Sequence, residues 1–184
     1  RLPDVGTSTG TLRLDRVRLP QPSTVVVTNA EDDGDGSLRQ AINIVAGGGT
    51  VSFDPSLAGQ TITLSGPLSI SAKEITIDGA DAPGLKLSGG GVDRVLIVDS
   101  NGTAIIKHLT VADGFGWQLA GGILNNGTLT LDHVMVTGNT MATDAGDFWQ
   151  GGGGIYSGDG ATLTIIDSSI VGNHAGWSGG GVYA

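Results

Sequence analysis

The sequence predicts an all-β chain, a right-handed single-stranded parallel β-helix (a solenoid) with a short N-terminal capping helix. Three observations carry this reading. The second half of the chain repeats itself: residues 121–139, GGILNNGTLTLDHVMVTGN, lie over residues 153–173, GGIYSGDGATLTIIDSSIVGN, and a third copy opens at Gly179-Gly180-Gly181-Val182. Self-similarity at a period of roughly 20–50 residues marks a repeat architecture. Inside each copy apolar residues alternate over very short stretches bounded by Gly, Asn and Asp, which describes strands and excludes helix. Finally, 33 of 184 residues are Gly, with 6 Pro and no three-residue period, which is too glycine-rich for a helical bundle and unlike collagen.

Residues 1–23 stand outside the repeat. Leu12, Leu14, Val17 and Leu19 interleaved with Arg13, Arg16 and Arg18 describe a basic, strand-forming arm that ends at Pro20 and Pro22. The β-helix is expected over residues 24–184. One segment reads as helix, at about 37–45: Ser37 followed three residues later by Gln40 is a capping box, and Gly47-Gly48-Gly49 follows as a stop. Leu38, Ala41, Ile42 and Val45 share one face, so the helix is expected to cover the open apolar end of the first coil.

Pairs of apolar residues two apart then mark successive strands: Val51 and Phe53, Ile62 and Leu64, Leu68 and Ile70, Ile75 and Ile77, Leu85 and Leu87, Val95 and Ile97. A diverged copy, residues 101–111, lies over residues 126–136. The spacing from Ile123 to Ile155 is 32 residues and from Ile155 to Val182 is 27. Three short strands per repeat are expected to stack on their equivalents ~4.8 Å apart. The strand begun at Val182 has nothing after it in this sequence, so an uncapped C-terminal end is expected.

The net charge of −9 is uneven: residues 1–23 carry +2 and the remainder −11, nearly all of it from Asp. Such a body repels phosphate backbones, which speaks against nucleic-acid binding. No apolar run approaches the ~20 residues of a transmembrane helix. The chain opens at Arg1, without a charged-then-apolar leader, as in a processed or excised segment. Without Cys, disulfides and thiolate chemistry are excluded.

Five groups of residues deserve a functional question. Trp117, Trp149 and Trp177 recur 6, 6 and 5 residues before an aligned strand start. They describe an internal aromatic ladder, a lateral protein interface or a carbohydrate platform. Asn139 and Asn173 close equivalent turns and are expected to form a structural amide ladder between coils. His108, His133 and Asp167 share one corner, with Lys107 and Asp132 beside them, as solvated residues or as an acid, a base and a cation. Asp32, Asp33 and Asp35 lie in a loop of calcium-site composition without EF-hand spacing. Turn formation and the helix dipole explain them, with a Ca²⁺ site as the alternative; otherwise no cofactor is expected. The Thr-x-Thr segments at Thr61, Thr128 and Thr162 also have the look of threonine ladders in ice-binding solenoids.

Residues 24–184 resemble bacterial extracellular right-handed parallel β-helix proteins that carry a CSLREA-type N-terminal motif and polymorphic-outer-membrane-protein-like repeats. Gly36-Ser37-Leu38-Arg39-Gln40-Ala41-Ile42 resembles the first motif, with Gly36 in place of its Cys and Gln40 in place of its Glu. The Gly-Gly starts at Gly121, Gly152 and Gly179, and the endings at Asn139 and Asn173, resemble the repeat motifs. The resemblance implies a secreted or cell-surface setting and a non-catalytic structural or adhesin-like role, with a surface glycan or a neighbouring cell surface as partner. A polysaccharide lyase or hydrolase, or a carbohydrate-binding β-helix, is the alternative. The charge split adds a third expectation: the basic arm docks on an acidic neighbouring body, joining copies end to end, or copies meet laterally through the Trp corner.

Overall fold

The computed structural model describes residues 20–142, 151–176 and 179–184. Arg13, Arg16 and Arg18, the loop acids Asp144 and Asp147, and Trp149 and Trp177 lie outside these residues.

The described chain is a parallel β-solenoid of about six turns. It opens with β1 (Thr24–Val27), helix α1 (Leu38–Ile44), β2 (Gly49–Phe53), a single 3₁₀ turn (Pro55–Leu57), β3 (Thr61–Thr63) and β4 (Leu68–Ile70). The next coil is β5 (Glu74–Asp78), β6 (Lys86–Ser88) and β7 (Leu96–Val98). Three coils follow with a fourth, two-residue strand in each. They are β8 (Thr103–Lys107), β9 (Thr110–Ala112), β10 (Phe115–Gly116) and β11 (Ile123–Asn125); β12 (Thr128–Asp132), β13 (Met135–Thr137), β14 (Thr140–Met141) and β15 (Ile155–Ser157); and β16 (Thr162–Ile166), β17 (Ser169–Val171), β18 (His174–Ala175) and β19 (Val182–Tyr183).

Equivalent strands stack into sheets of order β1-β2-β5-β8-β12-β16, β3-β6-β9-β13-β17 and β4-β7-β11-β15-β19, with β10-β14-β18 as a narrow fourth. The register follows the sequence repeats. Ile123 pairs with Ile155, Ile155 with Val182, and Thr128 with Thr103. The narrow sheet had no sequence signal, because two residues cannot display a period.

Inward positions form one core running from Val27 through Leu68, Ile75, Ile106, Leu129 and Leu131 to Ile155. Each such side chain contributes ~1.5–3 kcal/mol by leaving water. The core thins at the far end. Ile165, register partner of the fully buried Leu131, is 42% exposed.

The opposite end is covered by α1. Ser37 accepts a hydrogen bond from the Gln40 backbone N–H at 3.2 Å, and Leu38, Ala41, Ile42 and Val45 are buried. The capping box closes one residue earlier than the usual form: the Gln40 side-chain oxygen accepts from the Gly36 N–H at 2.9 Å, while the Ser37 N–H donates to the Gly34 carbonyl. The helix ends at Val45, before the glycines, and Lys73 of the following coil donates to the carbonyls of Ile42 and Val45. Packing also starts before Thr24, since the carbonyls of Pro22 and Ser23 accept from Ala46 and Thr50 at 2.8 Å. No helix among the described residues is long and apolar enough to cross a membrane.

Candidate functional site

The corner between the first and second sheets holds the densest polar chemistry. His108, His133 and Asp167 each take a left-handed backbone (φ 52°, 57° and 43°), turning the chain in one residue. Such φ values are uncommon for residues with a Cβ, and Asn, Asp and His are the types that tolerate them. Left-handed geometry, repeated at one register, sets the side chains one above another.

His108 and His133 stack with ring centroids 5.2 Å apart and planes 30° from parallel. His108 Nδ1 lies 2.9 Å from Asp78 Oδ1, and His133 Nδ1 lies 2.6 Å from Asp132 Oδ1. An ionised carboxylate only accepts, so each Nδ1 carries the proton and donates. Lys107 Nζ completes the set, 3.1 Å from Asp132 Oδ2. The His133 hydrogen bond, then that of Lys107, holds the Asp132 carboxyl below its usual range.

An open groove of about 390 Å³ runs beside this pair, lined by Gly79, Pro83, Leu85, Met135 and both imidazoles. It exists because the connection from β5 to β6 runs through residues 79–85, whereas later coils turn within His108-Leu109 or His133-Val134. The longer connection forms a wall against the imidazole stack. Of the expected ladder, the structure brings His108 and His133 together. Asp167 holds the next rung with an exposed side chain. Asp78 was missed by sequence reasoning: it ends β5 in register with Lys107, in a coil before the repeats aligned from residue 101 onward.

Asn139 is completely buried and makes the amide ladder. Its Nδ2 donates to Asn173 Oδ1 at 2.9 Å and its Oδ1 accepts from the Gly114 N–H at 2.8 Å. The left-handed φ in these turns belongs to the preceding Gly138 and Gly172, at 66° and 64°, so the asparagines serve purely as hydrogen-bonding links. A second buried amide, Asn125, bonds Ser157 Oγ and the Thr162 carbonyl; it lies in a strand and has no repeat that betrays it.

Trp117 is 60% exposed, edge-on to Phe115 at 5.4 Å. Its loop is held by Arg94, whose guanidinium donates to the carbonyls of Gln118 and Ala120; burial lowers the affinity of Arg94 for its proton. Among the described residues, Tyr156 stacks on Tyr183 of the next coil, 5.6 Å apart and 6° from parallel.

The three candidate calcium ligands point to separate partners. Asp32 pairs with Arg39 at 2.6 Å and accepts from the Ser65 hydroxyl and N–H. Asp33 accepts from the Gly34 N–H, and Asp35 from the Gln40 amide at 2.7 Å, rather than from the helix backbone. Burial pushes the Asp32 carboxyl upward, but the Ser65 and Arg39 hydrogen bonds outweigh it and hold the group below its usual range. Arg39 also donates to the carbonyls of Gly66 and Pro67. The acidic loop thus ties the cap to the turn before β4. Among the described residues, no three His, Asp or Glu side chains gather as a metal-ligand group.

Comparison of the chain with family models, curated proteins and solved structures finds no match.

Proposed function

We propose that this chain is a non-catalytic, extracellular structural or adhesin-like module whose work is to present a long rigid face. The outer surface of the six-stranded sheet carries the reading. Thr24, Thr50, Thr76, Ile105, Thr130 and Thr164 form one continuous row in register, with Thr103, Thr128 and Thr162 in a parallel row beside it. Six strands at ~4.8 Å give a central row ~24 Å long without charge, flanked by Glu74 on one side and by Asp78, Lys107 and Asp132 on the other. Threonine suits this position because a β-branched side chain packs on a pleated surface while its hydroxyl meets water or a ligand. Glycans of a cell surface, rich in hydroxyls and flat sugar faces, are the partner such a strip accommodates.

The two imidazole–carboxylate pairs beside an open groove favour a second reading, a polysaccharide-active enzyme using His108 or His133 as a general base. One experiment separates the two. The protein is incubated with neutral and acidic polysaccharides and with whole bacterial cells. Retention on cells or glycans without new reducing ends or unsaturated products is the expected result. Turnover of any polysaccharide that His133→Asn abolishes would overturn the structural reading in favour of the enzyme.

A further inference from the structure

We propose that His108 and His133 form a binding site for a divalent transition-metal cation of the Zn²⁺ or Ni²⁺ kind, open to the groove beside them. The starting point is the tautomer. Asp78 and Asp132 each accept from an Nδ1–H, so the lone pair of each neutral ring lies on Nε2. A carboxylate behind the Nδ1–H of a histidine is the arrangement that orients imidazoles for metals and raises their basicity. Here it occurs twice, on neighbouring rungs, with both rings lining the same groove. Among the described residues no protein group is hydrogen-bonded to either Nε2.

The rings are stacked at 5.2 Å and 30° from parallel, so their lone pairs converge on one ion only when the side chains turn out of the stack; both are partly exposed, and χ2 of His is a soft torsion. Each Nε2 then stands ~2.0–2.1 Å from the ion. Imidazole ligands select Zn²⁺, Ni²⁺ or Cu²⁺ over Ca²⁺ or Mg²⁺. Two nitrogens leave positions for water or for a groove occupant. Asp167, on the rung after His133, is not gathered with the two imidazoles as a third ligand.

The backbone supplies the right control substitution. His108 and His133 both sit at left-handed φ, which Asn tolerates, so His108→Asn and His133→Asn remove an imidazole while keeping the turn. Zn²⁺ and Ni²⁺ are titrated by calorimetry into the intact chain, and the histidine side-chain nitrogens are followed by NMR. One ion per chain is expected, with the Nε2 signals of His108 and His133 moving. Each of the two variants should weaken binding at least tenfold, Asp132→Asn by about 10–100-fold, and His174→Asn, on the narrow fourth sheet, should leave it unchanged. The proposal is overturned by absence of saturable binding up to millimolar metal, or by binding that survives both substitutions. It is equally overturned by binding that disappears only with His174→Asn. Wild-type NMR alone decides the matter should a variant fail to fold, because coordination through any other nitrogen is visible there.

Discussion

Gly122 lies so close to the Asn139 carboxamide that a Cβ built on it would stand 2.7 Å from Asn139 Cγ. The same contact recurs one coil on, where a Cβ on Gly154 would stand 2.9 Å from Asn173 Nδ2. The two short repeat motifs are therefore halves of one packing unit: the Gly-Gly pair leaves the space that the buried amide fills. Gly122→Ala and Gly154→Ala should each destabilise the protein by ~1–3 kcal/mol, the usual cost of overpacking. Urea denaturation checks this, and a midpoint equal to that of the parent would refute the packing unit.

The amide itself should matter as much. Asn139→Ala strips the acceptor from the Gly114 N–H in the coil wall, while Asn173 Oδ1 loses one of its two donors and keeps the backbone N–H of residue 139. Leaving a buried group unpaired costs ~1–3 kcal/mol. A double-mutant cycle of Asn139→Ala with Asn173→Ala should return a coupling of ~0.5–3 kcal/mol. Strict additivity of the two would show that the amides act separately.

Gly36 has a backbone reason to differ from the cysteine found there in the motif it resembles. Its φ is +80°, and a Cβ would stand 2.3 Å from Thr28 Oγ1 and 2.8 Å from Asn29 Nδ2. Gly36→Cys and Gly36→Ala should both lower the thermal midpoint, with ~1–2 kcal/mol arising from the left-handed φ alone. A variant as stable as the parent would mean that the loop relaxes freely.

Asp32 links the cap to acid stability. Its carboxyl is held below the ordinary value, so folding favours the ionised form. That contribution is complete above about pH 3.9, the ordinary carboxylate value, and is lost as pH falls through the lower folded value. Asp32→Asn should lower the urea midpoint at neutral pH and flatten its decline below pH 4. The check is a series of midpoints from neutral pH downward; parallel curves for parent and variant would contradict the assignment.

End-to-end assembly is tested by removing residues 1–19, which spares the Pro22 and Ser23 carbonyls bonded to Ala46 and Thr50. Light scattering before and after truncation is the measurement. A particle that shrinks to the mass of one chain is expected if the basic arm joins copies, and a single-chain mass in both states would end that idea.

Much of the scaffold was legible in the residues. Leu129 and Leu131 two apart, Asn139 and Asn173 in matching turns, and Ile123, Ile155 and Val182 at strand starts all became register neighbours or ladder partners. In a solenoid, equivalence along the sequence becomes adjacency in space, so a repeat read by eye is already a contact. The candidate site was half legible for the same reason: His108 and His133 align, and they stack. Asp78, in register with Lys107 and Asp132, belongs to a coil that the repeat alignment from residue 101 onward did not reach, and Lys73 did not announce that it would bond the carbonyls ending α1.

Alternation of apolar residues and the recurrence of Gly and Asn determined, from the sequence alone, that the chain is a parallel solenoid, which residues face inward and where the helix caps it. Those features depend on local period and on backbone geometry, which the residue types carry with them. The tertiary structure alone decided that Asp32 would join Arg39 and Ser65, that Asp78 would turn His108, and that residues 79–85 would wall a groove. Such contacts join segments of unequal length from different coils, and the path of each connecting loop, not the repeat, determines which side chains come within reach.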